Sequence, residues 1–401
     1  MTAPRVLVVS YAFPPLAAPE SWLAAKAVHS LAHIGVEIEV VCARPRWWHA
    51  RDDSLARWAG EPAAAVHVVD TPFWLPVAQP LPVLRQFPDP MRLLQGRARR
   101  LIEALDPQSF DAIITWSQWH SVHLVGLAIK RRHPDLRWLA HLSDPWVDNP
   151  LQPRHAFARV LNRRWERAAL TAADVVEFTS PITMRETCAR IPEISSKSFA
   201  LPHVFDEDLY DGSPPRSGPI IVRHVGGFYG SRTPAPLLDA LVDLDLGADE
   251  LVVELVGHVP PSMLGGVQSL PPGVLSLRGP VPYQQSLRLM RESDVLVLVD
   301  APGVESVFVP SKLIDYLGAG RPIVAITPPG AAAAIVHDAR GWVADPTDAA
   351  GIADALNAAI AHVRSARGET WSVPKVTARY DPIVVGRQRH CMLFPAGFGG
   401  C

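Results

Sequence analysis

Residues 5–10 (RVLVVS) enclose an unbroken apolar run, and the order of structural signals after it sets the class of fold. A turn-rich loop holds Phe13, Pro14 and Pro15, and after Ser21 the apolar residues Leu23, Ala27, Val28, Leu31 and Ile34 recur every three or four positions. Gly35 stops that pattern, and residues 36–41 (VEIEVV) alternate as a strand does. The first spacing belongs to a helix with one apolar face, the second to a pleated strand. Strand, loop, helix, strand is the unit of a parallel sheet, because parallel neighbours need a crossover long enough to hold a helix.

The alternation returns at residues 111–116 (DAIITW), with a helical stretch over 121–132 and a short strand over 136–141. Residues 44–90 read as irregular, carrying Trp47, Trp48, Phe73 and Trp74 among many prolines; loops of that length are usually functional or mobile. Residues 206–219 (DEDLYDGSPPRSGP) have the composition of a linker. Strand-like runs then restart at 219–224, 251–256, 294–299 and 322–326, separated by helical stretches at 234–242, 283–292 and 310–317. The expectation is an α/β chain of two Rossmann-like domains, 1–205 and 219–380, facing each other across a cleft, with 206–218 as linker and 381–401 as a tail. At 401 residues, 48% hydrophobic and 19% charged, the chain is too long for one core and apolar enough to fill two.

A formal charge of −2 offers no field for collecting nucleic acid. Cys42, Cys188, Cys391 and Cys401 are scattered, with no spacing of a disulfide framework or zinc site. The start of the chain lacks the features of a signal peptide, and no apolar run approaches the roughly 20 residues that span a bilayer. These features point to the cytoplasm.

Several stretches carry candidate chemistry. In residues 309–325 (VPSKLIDYLGAGRPIVA), Pro310 suits a helix start, so Ser311 and Lys312 sit where free amides and the helix dipole favour phosphate. Asp315 shares a face with Ser311 and can accept hydrogen bonds from two adjacent ribose hydroxyls, while Gly318 and Gly320 end the helix. Residues 225–232 (VGGFYGSR) come directly after a strand; glycines such as Gly227 permit close backbone approach, and Arg232 offers a bidentate fork to a diphosphate. Residues 116–123 (WSQWHSVH) present His120 and His123 where a strand gives way to a helix. Residues 141–146 (HLSDPW) place Asp144 in an Asp-Pro turn, and residues 13–21 (FPPLAAPES) carry Glu20 in the first strand-to-helix loop. Each has a structural alternative: an ordinary amphipathic helix, a simple glycine turn, surface or capping histidines, a common turn starter.

The 309–325 stretch resembles the donor-site signature of family 4 glycosyltransferases, retaining enzymes of the GT-B fold, and the resemblance runs over about residues 5–365. It implies that Asp315 holds the nucleotide ribose, that Gly227, Arg232, Ser311 and Lys312 hold the diphosphate, and that His120 or His123 contacts the donor sugar or acceptor. It further implies acceptor contacts by Glu20 and Asp144. The family's second acidic residue, on the donor sugar, would fall on Val307; Glu305, two residues earlier, is the available replacement. Expected with this are a nucleotide-diphosphate sugar as co-substrate, no metal or other cofactor, and no metal-binding D-x-D motif. The acceptor would be a carbohydrate, a lipid-linked molecule or a small molecule. The product would belong to cell-envelope polysaccharide, glycolipid or glycosylated-metabolite synthesis, with peripheral contact at the inner face of the membrane as a further expectation. Family members usually end in a helix that returns to the first domain, and a GFGGC terminus is not expected to form one. Two alternatives stand beside this reading: a nucleotide-sugar epimerase of the same architecture and a catalytically silent sugar-binding homologue. A dinucleotide-dependent dehydrogenase fits less well, because Phe-Pro-Pro rather than G-x-G-x-x-G comes after the first strand.

Overall fold

The computed structural model describes residues 3–75, 81, 85–150, 155–265 and 267–395, and the chain divides into two compact units, 1–204 with 381–401 and 205–380. The first holds seven parallel strands: β1 (Arg5–Val9), β2 (Glu37–Ala43), β3 (Ala63–Val69), β4 (Ala112–Trp116), β5 (Arg137–Leu142), β6 (Val175–Phe178) and β7 (Ser198–Ala200), in the order β3-β2-β1-β4-β5-β6-β7. The principal helices between them are α1 (Pro19–Ala32), α2 (Ala56–Gly60), α3 (Gln95–Ala104), α4 (Val122–Arg132), α5 (Ala156–Ala172) and α6 (Pro181–Arg190). Alternate residues of the central strands feed two separate cores. Leu7, Val9 and Ile113 pack with α3 and α4, and Val6, Val8 and Ile114 pack with Leu23 and Val28 of α1. Burying such a side chain is worth about 1.5–3 kcal/mol relative to exposure, which is why the interior of residues 5–10 carries no polar interruption.

The second unit repeats the scheme with six parallel strands: β8 (Ile220–Val225), β9 (Leu251–Val256), β10 (Leu275–Arg278), β11 (Val295–Val299), β12 (Ile323–Ile326) and β13 (Trp342–Ala344), ordered β10-β9-β8-β11-β12-β13. Its helices are α7 (Ala235–Leu244), α8 (Tyr283–Arg291), α9 (Ser311–Ala319), α10 (Ala331–Asp338), α11 (Ala349–Ala366) and the short α12 (Pro374–Thr377). In each sheet the strand order reverses direction once, between β1 and β4 and between β8 and β11, and loops leaving those strand ends are where ligands bind in open α/β sheets. No described helix is long and apolar enough to cross a membrane.

The structure departs from the sequence expectation in four places. The stretch read as irregular contains β3, an edge strand whose exposed positions carry Ala64, Val66 and Val68, so that no polar–apolar alternation marks it in the sequence. The chain beyond Tyr380 is not helix-free: α13 (Pro382–Leu393) is capped by the Asp381 carboxylate, which accepts the Ile383 and Val384 N–H groups, and it packs against α1. The GFGGC residues lie outside the described residues. Gly318 does not end α9; it sits inside the helix, where a Cβ would meet Phe205 Cγ at 2.7 Å, and Gly320 alone, at φ 64°, is the stop. Finally, Cys42 and Cys188 are free thiols but Cys391 is disulfide-bonded, which the spacing did not suggest.

Candidate active site

In the second unit His224, Gly226, Arg232 and Asp300 lie around the ammonium of Lys312, in the first turn of α9. Lys312 Nζ lies 3.2 Å from His224 Nε2 on β8, and His224 Nδ1, 3.0 Å from the Val297 carbonyl, donates its proton there and so leaves Nε2 to accept. Gly226, immediately past β8, has φ 140°, and a Cβ there would stand 2.8 Å from Lys312 Cε. The glycine this cradle requires is therefore Gly226. At Gly227, the position expected from the sequence, a Cβ would meet nothing closer than 3.6 Å. Burial, reinforced by the charge of Arg232 and opposed by that of Asp300, pulls the Lys312 pKa down to about 7.

Arg232 is buried. One terminal nitrogen donates to Asp300 Oδ1 at 2.6 Å and the other to the Tyr229 hydroxyl at 2.7 Å, while Nε has no partner among the described residues. Asp300, just past β11, also accepts the Ala301 N–H and the Ser306 hydroxyl, each at 2.9 Å, so Arg232 is fixed by a carboxylate that is itself held in place. Asp315 is buried, and both of its oxygens accept from the Tyr283 hydroxyl, at 3.0 and 3.1 Å; Tyr210 donates to its backbone carbonyl at 2.9 Å. Ser311 is partly exposed at the first turn of α9. Glu305 is exposed on the loop after β11 and has no hydrogen-bond or ion-pair partner among the described residues, while Val307 is partly buried. Three members of this group, His224, Asp300 and Tyr283, were missed in the sequence. Each stands at a strand end or helix start far along the chain from its partner, with no local motif to mark it.

In the first unit Glu20, in the first turn of α1, accepts the Ser143 hydroxyl at 3.0 Å and the Gln118 N–H at 3.3 Å, and the Gln118 amide donates to Asp144 Oδ2 at 3.1 Å. Burial and the neighbouring Asp144 charge push the Glu20 pKa up to about 8. Behind them, His141 Nδ1 lies 2.8 Å from Glu177 Oε1, and Arg389 of α13 donates to both oxygens of Glu177 at 2.8 Å. This ties the C-terminal helix into the floor of the site and holds the Glu177 pKa at about 2.

The two candidate histidines part company. His123 is fully buried, with Nδ1 2.8 Å from Thr115 Oγ1, and burial drives its pKa well below the ordinary value; it presents no surface to a ligand. His120 is 6% exposed, its ring stacked on Trp146 with centroids 5.4 Å apart. Of the aromatics in the 44–90 stretch, Trp47 is 89% and Phe73 82% exposed, Trp74 is exposed to a lesser degree, and Trp48 is partly buried. Among the described residues no group of His, Cys, Asp or Glu side chains is placed to hold a metal ion.

No family model matches the chain and no curated protein is significantly similar to it in sequence. Solved structures are similar in fold. An Anabaena protein, HepE, in complex with UDP and glucose superimposes with a TM-score of 0.67 at 14% identity, over 98% of this chain and 100% of its own. Sucrose-phosphate synthase from Thermosynechococcus elongatus gives 0.68 at 17% identity over 98% and 100%. WaaG, a glycosyltransferase involved in lipopolysaccharide biosynthesis, gives 0.62 at 12% over 98% and 100%. The fold of this chain, two Rossmann-like units each built on a parallel sheet, is that of the GT-B glycosyltransferases.

Proposed function

We propose that this protein is a retaining, family 4-like glycosyltransferase. It moves a hexosyl-type sugar from a nucleotide-diphosphate sugar to an acceptor hydroxyl without a metal, in cell-envelope polysaccharide, glycolipid or glycosylated-metabolite synthesis. The observation that carries the reading is the Lys312 cradle: an ammonium with no carboxylate partner among the described residues, held against a glycine and the first turn of α9, beside a buried arginine. Such a site lacks only an anion, and a nucleoside diphosphate supplies one. UDP bound to HepE, a neighbour in fold, supports the same choice of ligand.

In this reading Lys312, Arg232 and the α9 amides stabilise charge on the departing diphosphate, the main electrostatic task in such a transfer. Ribose hydroxyls share the Asp315 carboxylate with Tyr283, and Glu305 reaches the donor sugar from its loop. His120 is the histidine we place against the sugar, since His123 is enclosed. Glu20 and Asp144 bind acceptor hydroxyls. Exposed Trp47 and Phe73, near Arg46, form a surface for the membrane carrying a lipid-linked acceptor, at its cytoplasmic face.

Calorimetric titration with UDP and with uridine tests the donor assignment. Arg232→Ala and Lys312→Ala should weaken UDP binding about tenfold or more, as loss of a charge-assisted contact does, and leave uridine binding unchanged. Unaltered UDP affinity in both variants counts decisively against it. Co-sedimentation with anionic phospholipid vesicles tests the surface: Trp47→Ser with Phe73→Ser should abolish association without lowering thermal stability. A parent protein that ignores the vesicles at low salt removes the membrane reading.

A further inference from the structure

We infer that the second unit holds a separate anion site, at the opposite end of its strands from the Lys312 cradle, built around Arg321 and Arg340 and suited to a small phosphate monoester. Lys312, Gly226 and Asp300 come after the ends of β8 and β11 or begin the next helix, whereas Arg321 and Arg340 directly precede β12 and β13. The strands are parallel, so the two groups occupy opposite ends of the sheet. A cavity of about 180 Å³ opens there, lined by both arginines together with His362, Glu369 and Trp371.

Arg321 is the anchor. It is 3% exposed, yet among the described residues no carboxylate pairs with it. Nε donates to the Ser293 carbonyl and one terminal nitrogen to the Glu369 carbonyl, both at 2.8 Å, and the other terminal nitrogen has no partner among the described residues. Burial holds its pKa below the usual guanidinium value. A buried guanidinium bonded only to carbonyls, with the Asp294 charge acting on it from beyond ion-pair distance, is a costly arrangement that an anion relieves. Arg340 brings a second guanidinium, exposed and without an ion pair among the described residues, from a backbone at φ 60° that favours glycine. Trp371 gives the cavity a rigid apolar wall: its indole N–H donates to the Ala339 carbonyl at 3.0 Å, and its ring stands edge-on to His362 with centroids 4.6 Å apart.

Size and charge select the ligand. Pockets for drug-sized ligands run to roughly 300–1,000 Å³, so a cavity of about 180 Å³ favours a ligand smaller than a nucleotide sugar. At about 30 Å³ per water, the space holds a phosphate and a short body. Two guanidinium groups against the one Glu369 carboxylate leave the site cationic, and forked arginines match phosphate oxygens. The site also touches α9, because the Trp371 backbone N–H donates to the Gly320 carbonyl at 2.9 Å at that helix's C-terminal end. Arg321 and Arg340 would hold phosphate whatever the Lys312 cradle binds.

Equilibrium dialysis of the full chain against radiolabelled inorganic phosphate and glycerol 3-phosphate tests the site. Arg340→Gly suits the backbone and should preserve the fold while weakening binding of both probes about tenfold, the effect of losing one charge-assisted contact. Glu369→Gln should strengthen binding, and both effects should persist in the Lys312→Ala background, where the donor cradle takes up no probe. In that background, phosphate binding that survives Arg340→Gly, or no binding at millimolar probe, overturns the site.

Discussion

Lys312 and Glu20 each carry a prediction set by burial at a single residue. With its pKa near 7 against the ordinary 10.5, Lys312 is largely neutral in the folded protein above pH 7, where the unfolded chain still holds the proton. Its burial therefore weakens the fold below pH 7, and stability attributable to it rises with pH between about 7 and 10.5. A bound diphosphate restores the charge. UDP binding near pH 8 should accordingly take up a proton, seen by titration calorimetry in buffers of different ionisation enthalpy, and affinity should fall as pH rises through the site's pKa. Lys312→Met should remove the proton uptake and raise the melting temperature at pH 6. Glu20 has the opposite sign: with its pKa raised from 4.5 to about 8, its contribution is present below pH 4.5 and lost as pH rises to 8. Urea unfolding of the parent and Glu20→Gln across that range should give a stability difference that grows with pH in favour of the variant; a constant difference means Glu20 titrates normally.

At the scale of elements, the turn after β8 and helix α9 divide the glycines into those the structure needs and those it tolerates. Gly226→Ala adds a Cβ against Lys312 at φ 140°, a conformation costing a non-glycine residue about 1–3 kcal/mol, whereas Gly227→Ala meets only ordinary contacts. Denaturant unfolding should find the first destabilised and weak in UDP binding, and the second near the parent in both. The sequence displayed the strands and helices that bury an unbroken or strictly periodic face, such as β1, α4, β9 and α9. It concealed β3, whose exposed positions along a sheet edge carry apolar residues, and it misled at the C-terminus, where glycines beyond the helix drew attention from Asp381 and Pro382 at its start. Lys312 and Ser311 were legible because a helix N-terminus has a local signature. The pairing of Arg232 with Asp300, 68 residues apart in sequence, and of Asp315 with Tyr283, 32 apart, comes only from folding the sheet.

For the whole molecule, the two units carry separate cores, and calorimetry should resolve two transitions. Arg389→Ala leaves Glu177 buried without its cation, a loss of about 3–5 kcal/mol for a broken buried pair, and should lower the transition of the first unit alone. A matched fall in both transitions means the units unfold together. The first unit is also discontinuous: residues 1–204 build its sheet and 381–395 complete it, with the whole second unit inserted between them in sequence. During synthesis the second unit is a continuous stretch that can fold as soon as it emerges. The first must wait with Glu177 lacking its arginine partner until the segment bearing Arg389 arrives. A nascent chain halted near residue 380 should therefore hold a finished second unit beside a protease-sensitive first one, so that the half made earlier matures later.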